Sequence, residues 1–393
     1  MATTRLFREF FKSEKAGGLL LIGCTILSIG LANSPLSDGY QQFWNTQCLH
    51  HTLTEWINDA LMAVFFLLIG LELEREIYIG ELSTIKKAML PAVSALGGVI
   101  FPALIYFMFN RGTRTVSGTG IPMATDIAFA VGILSLMGKR VPVALRVFLT
   151  ALAVIDDLFA ILVIAIFYTA TISFTWLFLS LLVFALLLIL NRFKVHHSLP
   201  YLLGGILMWF FMFRSGVHAT IAGVLLAFAI PFGNGGKKTL SYRLQHVLHQ
   251  PVAFFILPLF ALANTAIMLS TDWTAALWSA EGMGILLGLS IGKPIGIYLL
   301  SRLAVALKVC QLPNGISWKY LLGAGLLAGI GFTMSIFITL LAFEDQLHRS
   351  NGKIAIIAAS LLAAVLGINY MLAVFRNKEI SQNEKPEMSI DKV

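Results

Sequence analysis

Long apolar runs separated by short polar segments extend along almost the whole chain. A run of about 20 apolar residues is long enough to cross a bilayer as a helix, and twelve such runs occur here. Their predicted starts are Ala16, Trp56, Lys87, Ile121, Pro142, Phe174, Leu199, Val217, Gln250, Gly282, Lys319 and Lys353. The pattern therefore predicts an all-α integral membrane protein with twelve transmembrane helices.

Composition agrees with that class. Of the 393 residues, 58% are hydrophobic and 12% are charged, whereas about 25% are charged in an ordinary soluble domain. The first apolar run follows a basic segment, as in a signal peptide, but it is too long for a signal sequence and predicts an uncleaved first span. We expect one membrane domain over residues 1–376 and a polar cytoplasmic tail over residues 377–393.

The basic residues predict the orientation. Of the 28 Lys and Arg, 22 fall on the side of the N-terminus, five fall on the other side and Lys293 lies inside a span. The five are Arg111, Arg114, Arg214, Arg349 and Lys353. Because positive residues stay in the cytoplasm, both termini are predicted to be cytoplasmic. The net charge of +8 therefore reflects topology, which excludes a nucleic-acid footprint.

A few charged residues lie within the predicted spans. Asp156 and Asp157 are adjacent in the run from Leu145 to Thr169, Asp126 lies in the fourth span and Lys293 in the tenth. A charge at that depth costs at least a few kcal/mol, so two adjacent carboxylates need a proton, a cation or a basic partner. Both aspartates are candidate partners of Lys293, and the group indicates an ion pathway more than polar contacts between helices.

Two of the predicted spans look interrupted. The fourth has Pro122 and Thr125 just before Asp126, and the eleventh has a glycine cluster before Thr333. The glycines are Gly323, Gly325, Gly329 and Gly331. Such glycines also allow close helix packing, but paired interruptions in the two halves of a chain are typical of transporter binding sites.

Several segments resemble one known family, the NhaA-type sodium/proton antiporters, and the resemblance covers nearly the whole chain. They include ATDIAFAVGILSL from Ala124, LTALAVIDDLFAI from Leu149, IGKPIGI from Ile291 and GIGFTMSIFI from Gly329. The resemblance implies twelve helices with two inverted-topology repeats, spans three to five and ten to twelve. It also implies that interrupted helices 4 and 11 cross near the midplane. Asp126 would then offset the positive helix ends and Lys293 the negative ends.

The resemblance also implies a function, electrogenic Na+(Li+)/H+ antiport in the bacterial inner membrane. Sodium would leave in exchange for protons by alternating access, with roles in sodium and pH homeostasis and no cofactor. Asp157 is the first choice as cation ligand, Asp156 is a second ligand or the partner of Lys293, and Thr125 with main-chain carbonyls completes the shell. Cation and proton would compete for the carboxylates. Membrane lipid is the expected surroundings, and a homodimer is implied through the outer loop 33–55, which is shorter than in relatives.

Further residues are candidates for the cytoplasmic funnel and for a pH response. They are Asp59, Glu72, Arg75, Glu76, His246, His249 and His218. Gln245 replaces the acid usual in the family, and Glu74 stands where the family pattern tends to be basic, so the pH profile of the family is not carried over. His218 is either a titrating group or, as we favour, a packed or capping residue near a helix start.

Two other functions fit a membrane aspartate pair less well. An intramembrane aspartyl protease would be an enzyme with a GxGD motif, which this sequence lacks. A sodium-coupled symporter for an organic solute would need a larger polar or aromatic site than these few intramembrane acids provide. Proton release from vesicles on addition of NaCl, LiCl or KCl separates these alternatives from an antiporter.

Overall fold

The computed structural model describes residues 14–169, 172–268 and 273–383. The first helix, α1 (Glu14–Ala32), is followed by α2 (Ser37–Trp44) at an angle of 119°. A small antiparallel hairpin of β1 (Gln47–Cys48) and β2 (His51–Thr52) comes next. All other regular elements in the described part of the chain are helical. The outer loop with the predicted dimer contact thus contains α2 and a hairpin with two residues in each strand.

The remaining helices follow in chain order. The first group is α3 (Leu53–Tyr78), α4 (Ile85–Asn110), a 3-10 segment (Arg114–Met123), α5 (Ile127–Leu136), a 3-10 turn (Gly138–Arg140), α6 (Val143–Phe167), α7 (Phe174–Arg192), α8 (Ser198–Ser215) and α9 (Ile221–Ala229). The second group is α10 (Leu240–Asn264), α11 (Trp273–Trp278), α12 (Ala280–Ala306), α13 (Trp318–Ala328), α14 (Phe332–Ala342) and α15 (Gln346–Asn383). Short π-helical segments lie inside α3, α10 and α12, and the one in α12, Gly288–Gly292, ends directly before Lys293.

Length and composition identify the helices that can cross a membrane. Within the described residues, eight helices are long and apolar enough, and ten if each of two bent pairs forms one span. The predicted spans near Leu199 and Val217 are not among these ten. The first folds as α8, with 18 residues, and the second as the nine-residue α9. The short α9 has a local cause, because Ile230 precedes Pro231 and takes extended backbone angles, as residues before proline prefer.

The chain continues beyond the predicted membrane boundary at residue 376 as a helix. The last helix, α15, extends to Asn383, so the first part of the predicted tail is helical. The remainder of that tail, residues 384–393, lies outside the described residues.

A multi-pass membrane protein also needs an apolar outer surface, and α7 provides one, since Phe178, Leu182 and Leu186 are 65%, 45% and 53% exposed.

The fourth predicted span starts earlier than expected and has a break in the middle. The element begins at Arg114 as a 3-10 helix, passes through extended residues at Ala124 and Asp126, and continues as α5. The eleventh consists of α13 and α14, which meet at 47° around Gly329–Gly331. Extended backbone loses its helical hydrogen bonds, and these groups need partners inside a membrane.

The two breaks supply those partners to each other. The backbone N–H of Asp126 donates to the carbonyl of Ile330 at 2.7 Å. The Thr125 hydroxyl lies 2.9 Å from the carbonyl of Ala328. The Ser335 hydroxyl donates to the carbonyl of Ile121 at 2.8 Å. The non-helical backbone of the fourth span is therefore buried within the protein, against the break in the eleventh span.

Glycines allow the closest helix contact near this region. A Cβ at Gly97 in α4 would stand 2.2 Å from the carbonyl oxygen of Gly296 in α12, and a Cβ at Gly296 would stand 2.2 Å from that of Gly97. Small residues of this kind let membrane helices approach backbone to backbone. Gly296 is one turn beyond Lys293, so this contact fixes the position of the helix that carries the buried lysine.

Candidate functional site

Lys293 and Asp156 form a buried ion pair at the centre of the site. The Nζ of Lys293 on α12 lies 2.5 Å from Oδ2 of Asp156 on α6, and the two side chains are 0% and 1% exposed. The same ammonium donates to the carbonyl of Met123. The Thr125 hydroxyl donates to Oδ2 of Asp156 at 2.5 Å or to Ala328, since it carries one proton. Of the two candidate partners, the structure pairs Lys293 with Asp156.

Asp157 faces a different environment, because successive helix residues point about 100° apart. It lines a cavity of about 770 Å³, which we call the inner cavity. Thr125, Asp126 and Asp157 lie at its deep end, and Arg75 and His249 lie at the other, on the predicted cytoplasmic side. The Oδ1 of Asp157, like that of Asp156, has no hydrogen-bond partner among the described residues.

Negative charge predominates around Asp157. Among the described residues, the carboxylates of Asp156, Asp126 and Glu72 repel a negative charge on Asp157, and the ammonium of Lys293 attracts it. Lys293 is already in contact with Asp156. In the described residues, no group of three or more His, Cys, Asp or Glu side chains is arranged to hold a metal. The acidic side chains that line the inner cavity, and so could meet a cation there, are Asp157, Asp126, Glu72 and Glu76.

Asp126 lies between two helix N-termini. Its Oδ1 accepts from the backbone N–H of Phe129 at 3.0 Å, as the N-cap of α5. Its Oδ2 accepts from the backbone N–H of Thr333 at 3.1 Å and from the Thr333 hydroxyl at 2.5 Å, at the start of α14. Helix N-termini carry partial positive charge and unpaired N–H groups. The N-termini of α5 and α14 therefore stabilise the Asp126 carboxylate.

The opposite helix ends meet around Lys293. The carbonyl of Met123 ends the 3-10 segment and that of Ala328 ends α13, and these ends carry partial negative charge. The Lys293 ammonium contacts the first and the Thr125 hydroxyl contacts the second. A carboxylate thus lies at two helix N-termini, and an ammonium lies at the carbonyl that ends the 3-10 segment.

Most of the predicted pH-response residues lie together in the inner cavity. Glu72, Arg75, Glu76, His246 and His249 all line the inner cavity, together with Gln245. The Arg75 guanidinium lies 5.0 Å from the ring centroid of Tyr242 on α10. The same ring stacks on His246 with 6.1 Å between centroids. These contacts connect the inner ends of α3 and α10.

Asp59 and His218 lie elsewhere. They line a second cavity of about 380 Å³, the outer cavity, with Asn264, Arg349 and Lys353. The Nδ1 of His218 is 3.9 Å from Oδ1 of Asp59, and the His218 ring stacks on Phe337 at 5.2 Å. His218 lies just before α9, but its side chain does not cap the helix. The structure thus separates these two residues from the inner group.

Sequence reasoning missed several residues of the site. The sequence pattern marks Thr333 only as a residue that follows a glycine cluster, although its N–H and hydroxyl bind Asp126. Thr150 lines the inner cavity two turns before Asp157, and the spacing of seven residues could have placed both on one face of α6. Glu74, which the sequence analysis names, is buried, lines neither cavity and accepts from the Ser241 hydroxyl at 3.4 Å, a pairing that no sequence signal indicates.

These features define a polytopic membrane protein with a buried ion pair and, next to it in sequence, a carboxylate that lines an acidic cavity, as in ion-coupled transporters. The family model described as Na+/H+ antiporter 1 matches residues 8–371. The chain therefore belongs to the Na+/H+ antiporter 1 family, as its sequence resemblance predicted.

Similar proteins agree along nearly their full length. The chain is 59% identical over 377 residues to the Na+/H+ antiporter NhaA of Flavobacterium psychrophilum, which covers 96% of this chain and 98% of the relative. It is 55% identical over 387 residues to the NhaA of Cytophaga hutchinsonii, covering 98% and 100%. The NhaA of Dechloromonas aromatica is 57% identical over 372 residues, covering 94% and 96%.

Proposed function

We propose that this protein exports Na+ or Li+ across the bacterial inner membrane in exchange for protons, with Asp157 as the exchanging carboxylate. Family membership supports sodium/proton antiport. The observation that carries the assignment of Asp157 is its environment. It lines the inner cavity, whereas Asp156 is not among the lining residues and is already paired with Lys293. An aspartate in an acidic surrounding is best neutralised by either a proton or a cation, and one site cannot hold both.

The oxygen groups at the deep end of the cavity suit a hard cation, which prefers oxygen ligands. Asp157 would supply the first carboxylate, and Thr125 with main-chain carbonyls of the extended segment would complete the shell. Asp156 becomes a second ligand if it turns from Lys293 to the cation. Lys293 then loses its counter-charge and releases a proton, so that more than one proton exchanges per cation. This step would make the exchange electrogenic.

The proposed architecture has twelve crossings and two inverted repeats, spans three to five and ten to twelve, in one domain over residues 1–376. Hydrogen bonds in both directions between the two breaks, from Asp126 N–H to Ile330 and from the Ser335 hydroxyl to Ile121, support a crossing of the fourth and eleventh spans. The helix α8, with 18 residues, is about 27 Å long at 1.5 Å per residue. The shorter α9 would cross with the help of the irregular segment 216–220. Alternating access would then expose Asp157 to either side, and both termini would be cytoplasmic.

A homodimer through the outer hairpin is a separate proposal, and Cys48 makes it testable. Cys48 is a free, exposed cysteine in β1. If two hairpins pair across a two-fold axis, mild oxidation in the membrane should give a covalent dimer. The same treatment of Cys48→Ser should leave a monomer on a denaturing gel. A monomer in both cases would remove the hairpin as the dimer contact.

Ion exchange is tested in proteoliposomes with a pH-sensitive dye. After a proton gradient is formed, NaCl or LiCl should release protons and KCl should not, with no organic solute present. A potential-sensitive dye with valinomycin and potassium reports whether the exchange moves net charge. Equal responses to sodium and potassium would contradict the proposed selectivity. A response that depends on an added organic solute would favour the symporter.

A further inference from the structure

The inner and outer cavities approach each other along three helices. The helices α3, α10 and α14 each contribute residues to both cavities. In α3, Asp59 lines the outer cavity and Leu68 the inner one; in α10, Asn264 lines the outer and Leu257 the inner. In α14, Leu340 lines the outer cavity and Met334 the inner one. The part of the protein that lies between the residues of each pair separates the outer cavity from the inner cavity.

Each of the three helices carries a buried phenylalanine where its two linings approach each other. On α10 it lies between the linings, on α3 it directly follows Phe65 of the inner lining, and on α14 it belongs to the outer lining. Phe66 on α3, Phe260 on α10 and Phe337 on α14 are 1%, 0% and 0% exposed. The ring centroid of Phe337 is 5.5 Å from that of Phe66 and 6.3 Å from that of Phe260. The three rings therefore form one apolar layer between the outer cavity and the inner cavity.

The layer is thin. Met334 and Phe337 are three residues apart on α14, about 4.5 Å along the axis at 1.5 Å per residue. Removing an ion from water into an apolar layer is costly, and apolar constrictions close ion pathways by excluding water. One turn of helix with three packed rings is therefore enough to stop an ion or a hydrated proton.

We propose that Phe66, Phe260 and Phe337 form the outer seal of the transport pathway, and that Phe337 is the ring whose displacement opens it. Phe337 contacts both other rings, forms part of the lining of the outer cavity and stacks on His218. Its displacement alone connects the outer cavity with the space beside Met334. That this route carries transported ions depends on the proposed function. The seal itself can be tested without ion exchange.

Thiol labelling tests the seal directly. The background carries Cys24→Ser, Cys48→Ser and Cys310→Ser, and the reporter is Met334→Cys, at an inner-cavity position that is 2% exposed. A membrane-impermeant thiol reagent is added from the outside. We expect Phe337→Ala to speed labelling of this reporter at least tenfold. The matched control Phe343→Ala removes another buried ring just after α14 and should leave the rate unchanged. Leu340→Cys, in the outer cavity, should be labelled equally in all backgrounds.

Phe337→Leu should keep the slow rate, because it retains an apolar side chain of similar bulk. If Phe337→Ala does not fold, Phe66→Ala and Phe260→Ala have the same expected effect. Labelling of a folded alanine variant no faster than that of the parent or of Phe343→Ala would overturn the seal. Absence of sodium-dependent proton flux would overturn the proposed function and leave the labelling result intact.

Discussion

The ammonium of Lys293 lies 2.5 Å from Oδ2 of Asp156, and both side chains are buried. This contact neutralises one member of an adjacent aspartate pair and leaves the other, Asp157, facing the inner cavity. Two residues that are chemically identical and adjacent in sequence thereby acquire different roles. The neighbour that each carboxylate faces therefore sets the role we propose for it.

Asp157→Asn should abolish sodium-driven and lithium-driven proton flux at every pH between about 6 and 9 while the protein still folds. Asparagine keeps the volume and one oxygen but loses the charge and the titrating proton on which competition depends. Dye-monitored flux in proteoliposomes and thermal unfolding in detergent measure the two effects. Asp38→Asn changes an exposed aspartate in the same way and should leave flux normal. Near-normal exchange in Asp157→Asn would exclude Asp157 as the exchanging group.

Lys293→Ala should lower both thermal stability and transport. Breaking a buried ion pair leaves an uncompensated charge and typically costs about 3–5 kcal/mol. Asp156→Asn in the same chain should restore part of the melting temperature, because it removes that charge. The comparison is Lys87→Ala: the Lys87 side chain is 59% exposed and its ammonium is 4.0 Å from Glu81. Such surface pairs contribute about 0–1 kcal/mol. An unchanged melting temperature for Lys293→Ala would mean that the pair does not stabilise the fold.

Thr333→Val should destabilise the contact between the two breaks. Valine keeps the branched shape but removes the hydroxyl that donates to Asp126 at 2.5 Å, and hydrogen bonds to charged groups contribute about 1.5–3 kcal/mol. Thr339→Val is the matched control, since its hydroxyl donates only to the carbonyl of Ser335 in the same helix. Thermal unfolding of both variants gives the difference. A Thr333→Val loss no greater than that of Thr339→Val would contradict a special role for the bond to Asp126.

The sequence predicted the positions of the helices better than their contacts. Apolar windows locate α6 and α12, but nothing in the sequence tells which of Asp156 and Asp157 faces Lys293, because that depends on the rotation of α6 against α12. The short α9 results from Pro231, a local signal that a 20-residue window averages out. Phe66 and Phe337 could not be told from lipid-facing rings such as Phe178, since all are phenylalanines in apolar runs. Burial separates them, and burial is a property of packing.

The pH response should arise chiefly from competition at the carboxylates. Gln245 lies in the inner cavity but cannot titrate, so the candidates there are the aspartates, Glu72 and Glu76, and the pair His246 and His249. A proton on Asp157 blocks the cation, so raising the pH should improve the apparent sodium affinity. Saturating sodium should then remove most of the pH dependence on the acid side.

A separate sensor makes a different prediction, because it would lower the maximal rate at low pH in a way that no sodium concentration overcomes. Flux measured over a grid of pH and sodium concentration distinguishes the two. The double variant His246→Ala and His249→Ala, compared with the exposed outer-loop change His50→Ala, should leave the pH profile at saturating sodium unchanged. If activity at saturating sodium still switches on steeply with pH, and only the double variant shifts that switch, the histidines are the sensor and competition is insufficient.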